Sequence, residues 1–184
     1  MALINTTTTG IQGTTIFADG TGSLTVQQNG ATLGTYGNIP AFRAYPTDNI
    51  TLAYNTLTKV TLGTEEYDTN NNFASSTFTP TIAGYYQING TIHWTGTAGR
   101  NMYAAVFIHK NGSIYKRNVI AVNSLGSGID WSNEVNSLVY FNGTTDYIEM
   151  YAYQVDYTTS GTITINGGSS GQYSSFSGIL IKAA

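Results

Sequence analysis

The sequence contains no cysteine, which removes disulfides, thiolate metal sites and a cysteine nucleophile together. Charge is scarce: Asp, Glu, Lys and Arg make up 9% of 184 residues, ten acidic against seven basic, for a net charge of -3. Seven scattered cations cannot neutralise a phosphate backbone, so no nucleic-acid partner is expected. No apolar run approaches the ~18 residues of a membrane span, and no membrane insertion is expected. The start, Met1-Ala2-Leu3-Ile4-Asn5, lacks the basic region and apolar core of a secretory signal, so the mature protein is expected to begin there. A helical period of 3.6 is missing throughout. So is any collagen-like Gly-X-Y tract.

What remains is hydroxyl, amide and glycine surface around a hydrophobic fraction of 41%. Few charges mean weak self-repulsion, which suits permanent assembly. The length allows one domain with a core plus a short appendage. Residues 1–38 are that appendage, a Thr, Gly and Gln-rich arm without Lys, Arg or Glu. Within it, Thr14-Thr15-Ile16-Phe17 and Ser23-Leu24-Thr25-Val26-Gln27 read as short strands around Asp19-Gly20, and Asn29-Gly30 marks a further turn. A lone hairpin is marginal in water. The arm therefore needs a partner, whether sister arms, its own globular domain or a scaffold surface, and particle anchoring is expected through Ile4, Ile11, Ile16, Phe17, Leu24 and Val26.

Residues 39–184 alternate short strands with Gly, Asn and Asp turns. Strands are predicted over 41–45, 58–62, 84–95, 102–110, 113–122, 135–141, 147–155, 161–165 and 176–181, with Asn111-Gly112 and Asn142-Gly143 as the strongest hairpin signals. This spacing describes an all-β, antiparallel two-sheet sandwich. In 84–95 only one face is apolar (Tyr86, Ile88, Ile92, Trp94), so that strand is half exposed. In 102–110 and 147–155 both faces are apolar, and a two-layer sandwich buries one face of each sheet. Tyr103, Phe107, Tyr147, Tyr151 and Tyr153 fall on the uncovered faces and are expected to line a subunit interface; a covering loop or the arm is the alternative.

Several segments carry a resemblance. Tyr67-Asp68, Phe78-Thr79-Pro80, Gly84-Tyr85-Tyr86-Gln87-Ile88, Val106-Phe107-Ile108-His109-Lys110-Asn111-Gly112, Asp146-Tyr147-Ile148-Glu149-Met150 and the closing Ser175-Phe176-Ser177-Gly178-Ile179-Leu180-Ile181 occur in order. Together they resemble the globular head of complement component q within the tumour-necrosis-factor-like superfamily. Ile88 stands where that family usually has Phe, and the cysteines of many animal members are absent. The resemblance implies a ten-strand jelly roll that assembles as a trimer. It does not imply one function, since the fold serves hormones, complement recognition, spore surfaces and phage particles alike.

No catalytic constellation is visible, because His93 and His109 stand singly in their strands with no nucleophile motif nearby. No enzyme activity and no cofactor are expected. Glu65-Glu66-x-Asp68 lacks the loop of a dedicated calcium site and reads as a solvated acidic turn. The Asn-x-Ser/Thr triplets follow from composition. Loops 96–101, 123–132, 156–160 and 167–174 offer possible ligand contacts, namely Arg100, Asp130, Trp131, Tyr157 and Tyr173, unless Trp131 caps the sandwich. The expectation is a homotrimeric virion accessory protein, made in the host cytoplasm and exposed on the particle. It would decorate a capsid, with its arm on the major capsid protein or a tail protein. The alternative is a tail-fibre tip or an adhesin for a host surface glycan.

Overall fold

The structure, a computed structural model, describes residues 15–18, 24–28, 31–36, 39–99, 101–123, 128–168 and 173–184. The chain divides into two compact units, Met1–Ile39 and Pro40–Ala184. In the first, β1 (Thr15–Ala18), β2 (Leu24–Gln28) and β3 (Ala31–Tyr36) form an antiparallel sheet in the order β1-β2-β3. Ile16 is in register with Val26, and Leu24 with Ala18. The third strand is an addition to the predicted hairpin; the Asn29-Gly30 turn expected before it lies outside the described residues.

The second unit is all-β. Its strands are β4 (Ala41–Tyr45), β5 (Ile50–Leu52), β6 (Thr58–Lys59), β7 (Thr64–Asp68), β8 (Phe73–Ala74), β9 (Thr77–Phe78), β10 (Gly84–Gly96), β11 (Asn101–Lys110), β12 (Ser113–Asn123), β13 (Ile129–Phe141), β14 (Ile148–Asp156), β15 (Ile163–Ile165) and β16 (Ser175–Ala183). One sheet runs β5-β15-β10-β16-β4-β7, with β13 on the other flank of β10. The second runs β12-β11-β14-β9-β8, with β6 also on β14. Every pairing is antiparallel. Among the described residues there is no helix.

The alternation in β10 positions this sandwich. Tyr86, Ile88, Ile92 and Trp94 are fully buried between the sheets while their odd-numbered neighbours face outward. Phe42 stacks on Phe78 at 4.2 Å and Phe73 at 4.9 Å and meets Phe176 edge-on at 5.3 Å. This cluster leaves no room at Gly178, where a Cβ would lie 2.7 Å from both Phe42 and Ile88. The Tyr86 hydroxyl donates to the Ile82 carbonyl at 2.8 Å, and burial pushes its pKa up to about 12. Leu180 N–H donates to the Pro40 carbonyl at 2.9 Å, so the chain enters this unit beside its last strand.

Four predictions need correction. The strand expected over 58–62 is ordered as strand only at Thr58–Lys59. Strands β5, β7, β8 and β9 went unpredicted: β7 is the polar segment TEEYD on a sheet edge, and β8 and β9 have two residues each around Ser75 and Ser76, both at positive φ. Strand β13 begins at Ile129, so Asp130 and Trp131 sit in a strand and not in a contact loop. Asn111-Gly112 does close the β11-β12 hairpin, with φ of 52° and 77°. Asn142-Gly143, however, carries the chain from one sheet to the other, since β13 pairs with β10 and β14 with β11. Asn142 Oδ1 accepts from the backbone N–H groups of Thr144, Thr145 and Asp146 at 2.9, 3.0 and 3.1 Å. The same dipeptide signal thus serves a hairpin once and a crossing once.

Candidate functional site

Two outward faces and one end of the sandwich collect the residues singled out above. Register places Tyr103, Phe107, Tyr151 and Tyr153 on the outer face of the β12-β11-β14 sheet, with Phe107 opposite Tyr151 and Ala105 opposite Tyr153, while Tyr147 immediately precedes β14. Much of their cover comes from each other. His109 stacks on Tyr151 at 4.1 Å and meets Phe107 edge-on at 6.1 Å, while Tyr103 meets Tyr153 edge-on at 6.0 Å. Phe107 is only 5% exposed within the protomer, and the four tyrosines are half-buried. Small Ala105 lets the flanking rings lie over it. Toward one end these rings leave a groove of about 420 Å³, bordered by Tyr103, Phe107, Arg117, Tyr153 and Tyr157.

At the other end of this face, Lys59 Nζ donates to Glu149 at 2.7 Å and to Thr77 at 2.8 Å, and Tyr151 Oη donates to Glu149 at 3.3 Å. Burial alone pushes the Glu149 carboxyl up, but the Lys59 and Thr77 hydrogen bonds and the Lys59 charge outweigh it and hold it below its usual range. Asp146 is held low chiefly by the Asn111 hydrogen bond at 2.7 Å, with Lys110 at 2.9 Å adding to it. His109 is pushed down by burial against the opposing pull of Glu149, and its Nε2 has no partner among the described residues.

These shifts share one sign. A group whose folded pKa lies below its unfolded value binds protons more readily when unfolded, so the stability present above the unfolded pKa is lost as pH falls through the folded one. The urea midpoint is therefore expected to fall in two stages, the first below about pH 6.5 from His109 and the second below about pH 4.3 from Glu149 and Asp146. In His109→Phe the first stage shrinks and the second remains. An unchanged first stage in that variant would contradict the assignment.

The opposite sheet presents a patch that strand parity alone had not revealed. Tyr85 is in register with Tyr140, and Gln87 lies between Leu138 on β13 and Ile179 on β16. The rings of Tyr85 and Tyr140 are 5.4 Å apart. Leu138 is 52% exposed, Tyr85 45%, Ile179 43% and Tyr140 42%, and Ile181 extends the patch. Each strand contributes one or two of these side chains, so no single strand reads as two-faced.

The strand ends at Gly96, Asn101, Asn123, Ile129 and Asp156 meet at one end of the sandwich, because Gly96 pairs with Ile129, Asn101 with Asn123 and Met102 with Asp156. Of the possible ligand contacts, Asp130 and Tyr173 come together there around His93. His93 Nε2 donates to Asp130 at 2.9 Å, its Nδ1 accepts from Asn166 Nδ2 at 3.2 Å, and the Tyr173 ring lies 5.0 Å away. Both ring nitrogens are engaged by neighbouring side chains. Trp131 faces the other way, packed on the core 5.6 Å from Trp94. Tyr157, 70% exposed, borders the groove. Arg100, Ile4 and Ile11 lie outside the described residues. Ile16 and Phe17 fall on β1, and Leu24 and Val26 on β2.

The acidic cluster is spent on structure: Glu66 pairs with Arg43, and Asp68 accepts the Phe73 N–H at 2.7 Å. Among the described residues no group of three His, Cys, Asp or Glu could hold a metal ion.

No family model and no curated protein sequence matches the chain. Solved structures do match. The globular domain of the zebrafish complement 1qA protein aligns with a TM-score of 0.52 at 14% identity, covering 79% of this chain and 99% of that one. The Eiger TNF of S. frugiperda aligns at 0.56 and 7% identity, covering 80% and 95%. Murine APRIL aligns at 0.52 and 9%, covering 78% and 99%. The protein therefore carries a jelly-roll sandwich of the kind found in complement globular heads and tumour-necrosis-factor ligands. At these identities the likeness is one of fold.

Proposed function

We propose that the protein is a non-enzymatic structural accessory protein of a virus particle. It acts as a homotrimer whose jelly rolls face outward as a capsid decoration, while residues 1–38 attach it to the major capsid protein or a tail protein. The observation that carries the trimer is the exposed patch of Tyr85, Leu138, Tyr140 and Ile179. A contiguous group of large apolar side chains, each more than two-fifths exposed, calls for a partner surface. Three-fold closure is what the family resemblance implies for this fold. The low charge and hydroxyl-rich surface support a shell role.

Deleting residues 1–38 is expected to leave folded, trimeric jelly rolls that no longer join particles. Co-sedimentation with particles lacking the protein measures this. Binding equal to that of the full chain would remove the arm as anchor. A tail-fibre tip or host-glycan adhesin is the competing reading, favoured by the aromatic groove. Copy number separates the two, since hundreds of copies per particle fit a decoration and a handful fit a tail tip.

A further inference from the structure

We infer that the groove on the outer face of the β12-β11-β14 sheet is a binding site for a carboxylate-bearing sugar. This goes beyond the particle assignment and holds wherever the protein sits, provided the groove stays open in the assembly. Its volume, about 420 Å³, is in the range of small-ligand sites. The rings of Tyr103, Tyr153 and Tyr157 border it, and Phe107, almost wholly buried, forms its floor.

Charge complementarity selects the ligand. Among the described residues Arg117 is the sole charged side chain lining the groove. It makes no ion pair or hydrogen bond among the described residues. A planar guanidinium beside aromatic rings, without a carboxylate of its own, is a ready partner for a ligand carboxylate in bidentate geometry. A pyranose supplies the rest. Its C–H face packs on an aromatic ring, and its hydroxyls can meet those of Tyr103 and Tyr157, which have no protein partner among the described residues.

Other occupants fit less well. The backbone of β11 is paired on both sides, with β12 and β14, so an extended peptide finds no free main-chain groups on this face. One cation cannot hold a polyphosphate chain.

The test uses the full-length protein and three probes: a disaccharide ending in glucuronate, its glucose-ended twin, and acetate. Calorimetric titration is expected to show saturable binding of the glucuronate disaccharide and about tenfold weaker binding of the twin, the ratio a lost charge-assisted hydrogen bond gives. Arg117→Gln should bring the acidic disaccharide down to the level of the neutral one without moving the urea midpoint. Tyr157→Ala should weaken both sugars. The inference is overturned by any of four results: no saturable binding of the acidic disaccharide, unchanged affinity in Arg117→Gln, acetate competing as well as the disaccharide, or protection of Tyr157 from hydroxyl-radical footprinting in the ligand-free assembly. None of these depends on particle attachment, so failure here and failure of the decoration reading are distinguishable.

Discussion

Leu138→Asp is expected to convert the assembled protein into folded monomers. Leu138 is 52% exposed in the protomer, so a carboxylate there costs the isolated fold little. Between subunits the same carboxylate would have to be desolvated beside Tyr85 and Tyr140. A penalty of about 2 kcal/mol per copy, felt three times, is about 6 kcal/mol per trimer, or about four orders of magnitude in association. Sedimentation at micromolar concentration measures it, with wild type expected as a trimer.

Tyr151→Ala is the matched control, because Tyr151 stacks on His109 and bonds Glu149 inside the protomer. It should lower the unfolding midpoint of the protomer and leave association intact. Release of monomers by Tyr151→Ala and not by Leu138→Asp would move the interface to the aromatic face and close the groove. A stable wild-type monomer would end the trimer proposal for both faces.

Trp94→Ala is expected to cost about 5 kcal/mol, a third or more of the stability of an ordinary domain. Two losses combine. Removing a fully buried indole opens a cavity among Ile92, Trp131 and the β15 isoleucines, since Trp94 pairs with Ile165 and Trp131 in adjacent strands. It also orphans Asn133 Oδ1, which now accepts from Trp94 Nε1 at 2.6 Å in a buried setting. An unsatisfied buried acceptor costs about 1–3 kcal/mol beyond the cavity. Equilibrium urea unfolding reads the sum, and Thr91→Ala, on the outer face of the same strand, should shift it by less than about 0.5 kcal/mol. Equal effects of the two variants would mean that the face assignment of β10 is wrong.

That assignment was legible in the sequence because β10 is long and alternates strictly, so parity fixes every side chain at once. The same logic put Tyr103, Phe107, Tyr151 and Tyr153 on one face. It could not show that neighbouring rings cover each other there, because lateral packing across strands depends on register, and register is not a property of one strand. For the same reason the Tyr85, Leu138, Tyr140 and Ile179 patch was invisible, its members lying on three strands. Strand β7 was missed since Glu65 and Glu66 suit an edge whose pairing comes from β4. Asp130 looked like a loop residue because Gly126 and Gly128 precede it, yet β10 holds it in a ladder that runs to Gly96.

The hydrogen bond from Leu180 to Pro40 gives the sandwich two unlike poles. Chain entry lies beside β16 near Tyr86, and the Asn142-Gly143 crossing and Asn111-Gly112 turn share that pole with it. Strand β10 then runs from Tyr86 to Thr95, roughly 30 Å, to the pole where Asp130 and Tyr157 lie. Insertions at that far pole would fall roughly 30 Å from chain entry. At the near pole, changes at Pro40 or Leu180 fall on the hydrogen bond that ties chain entry to the last strand.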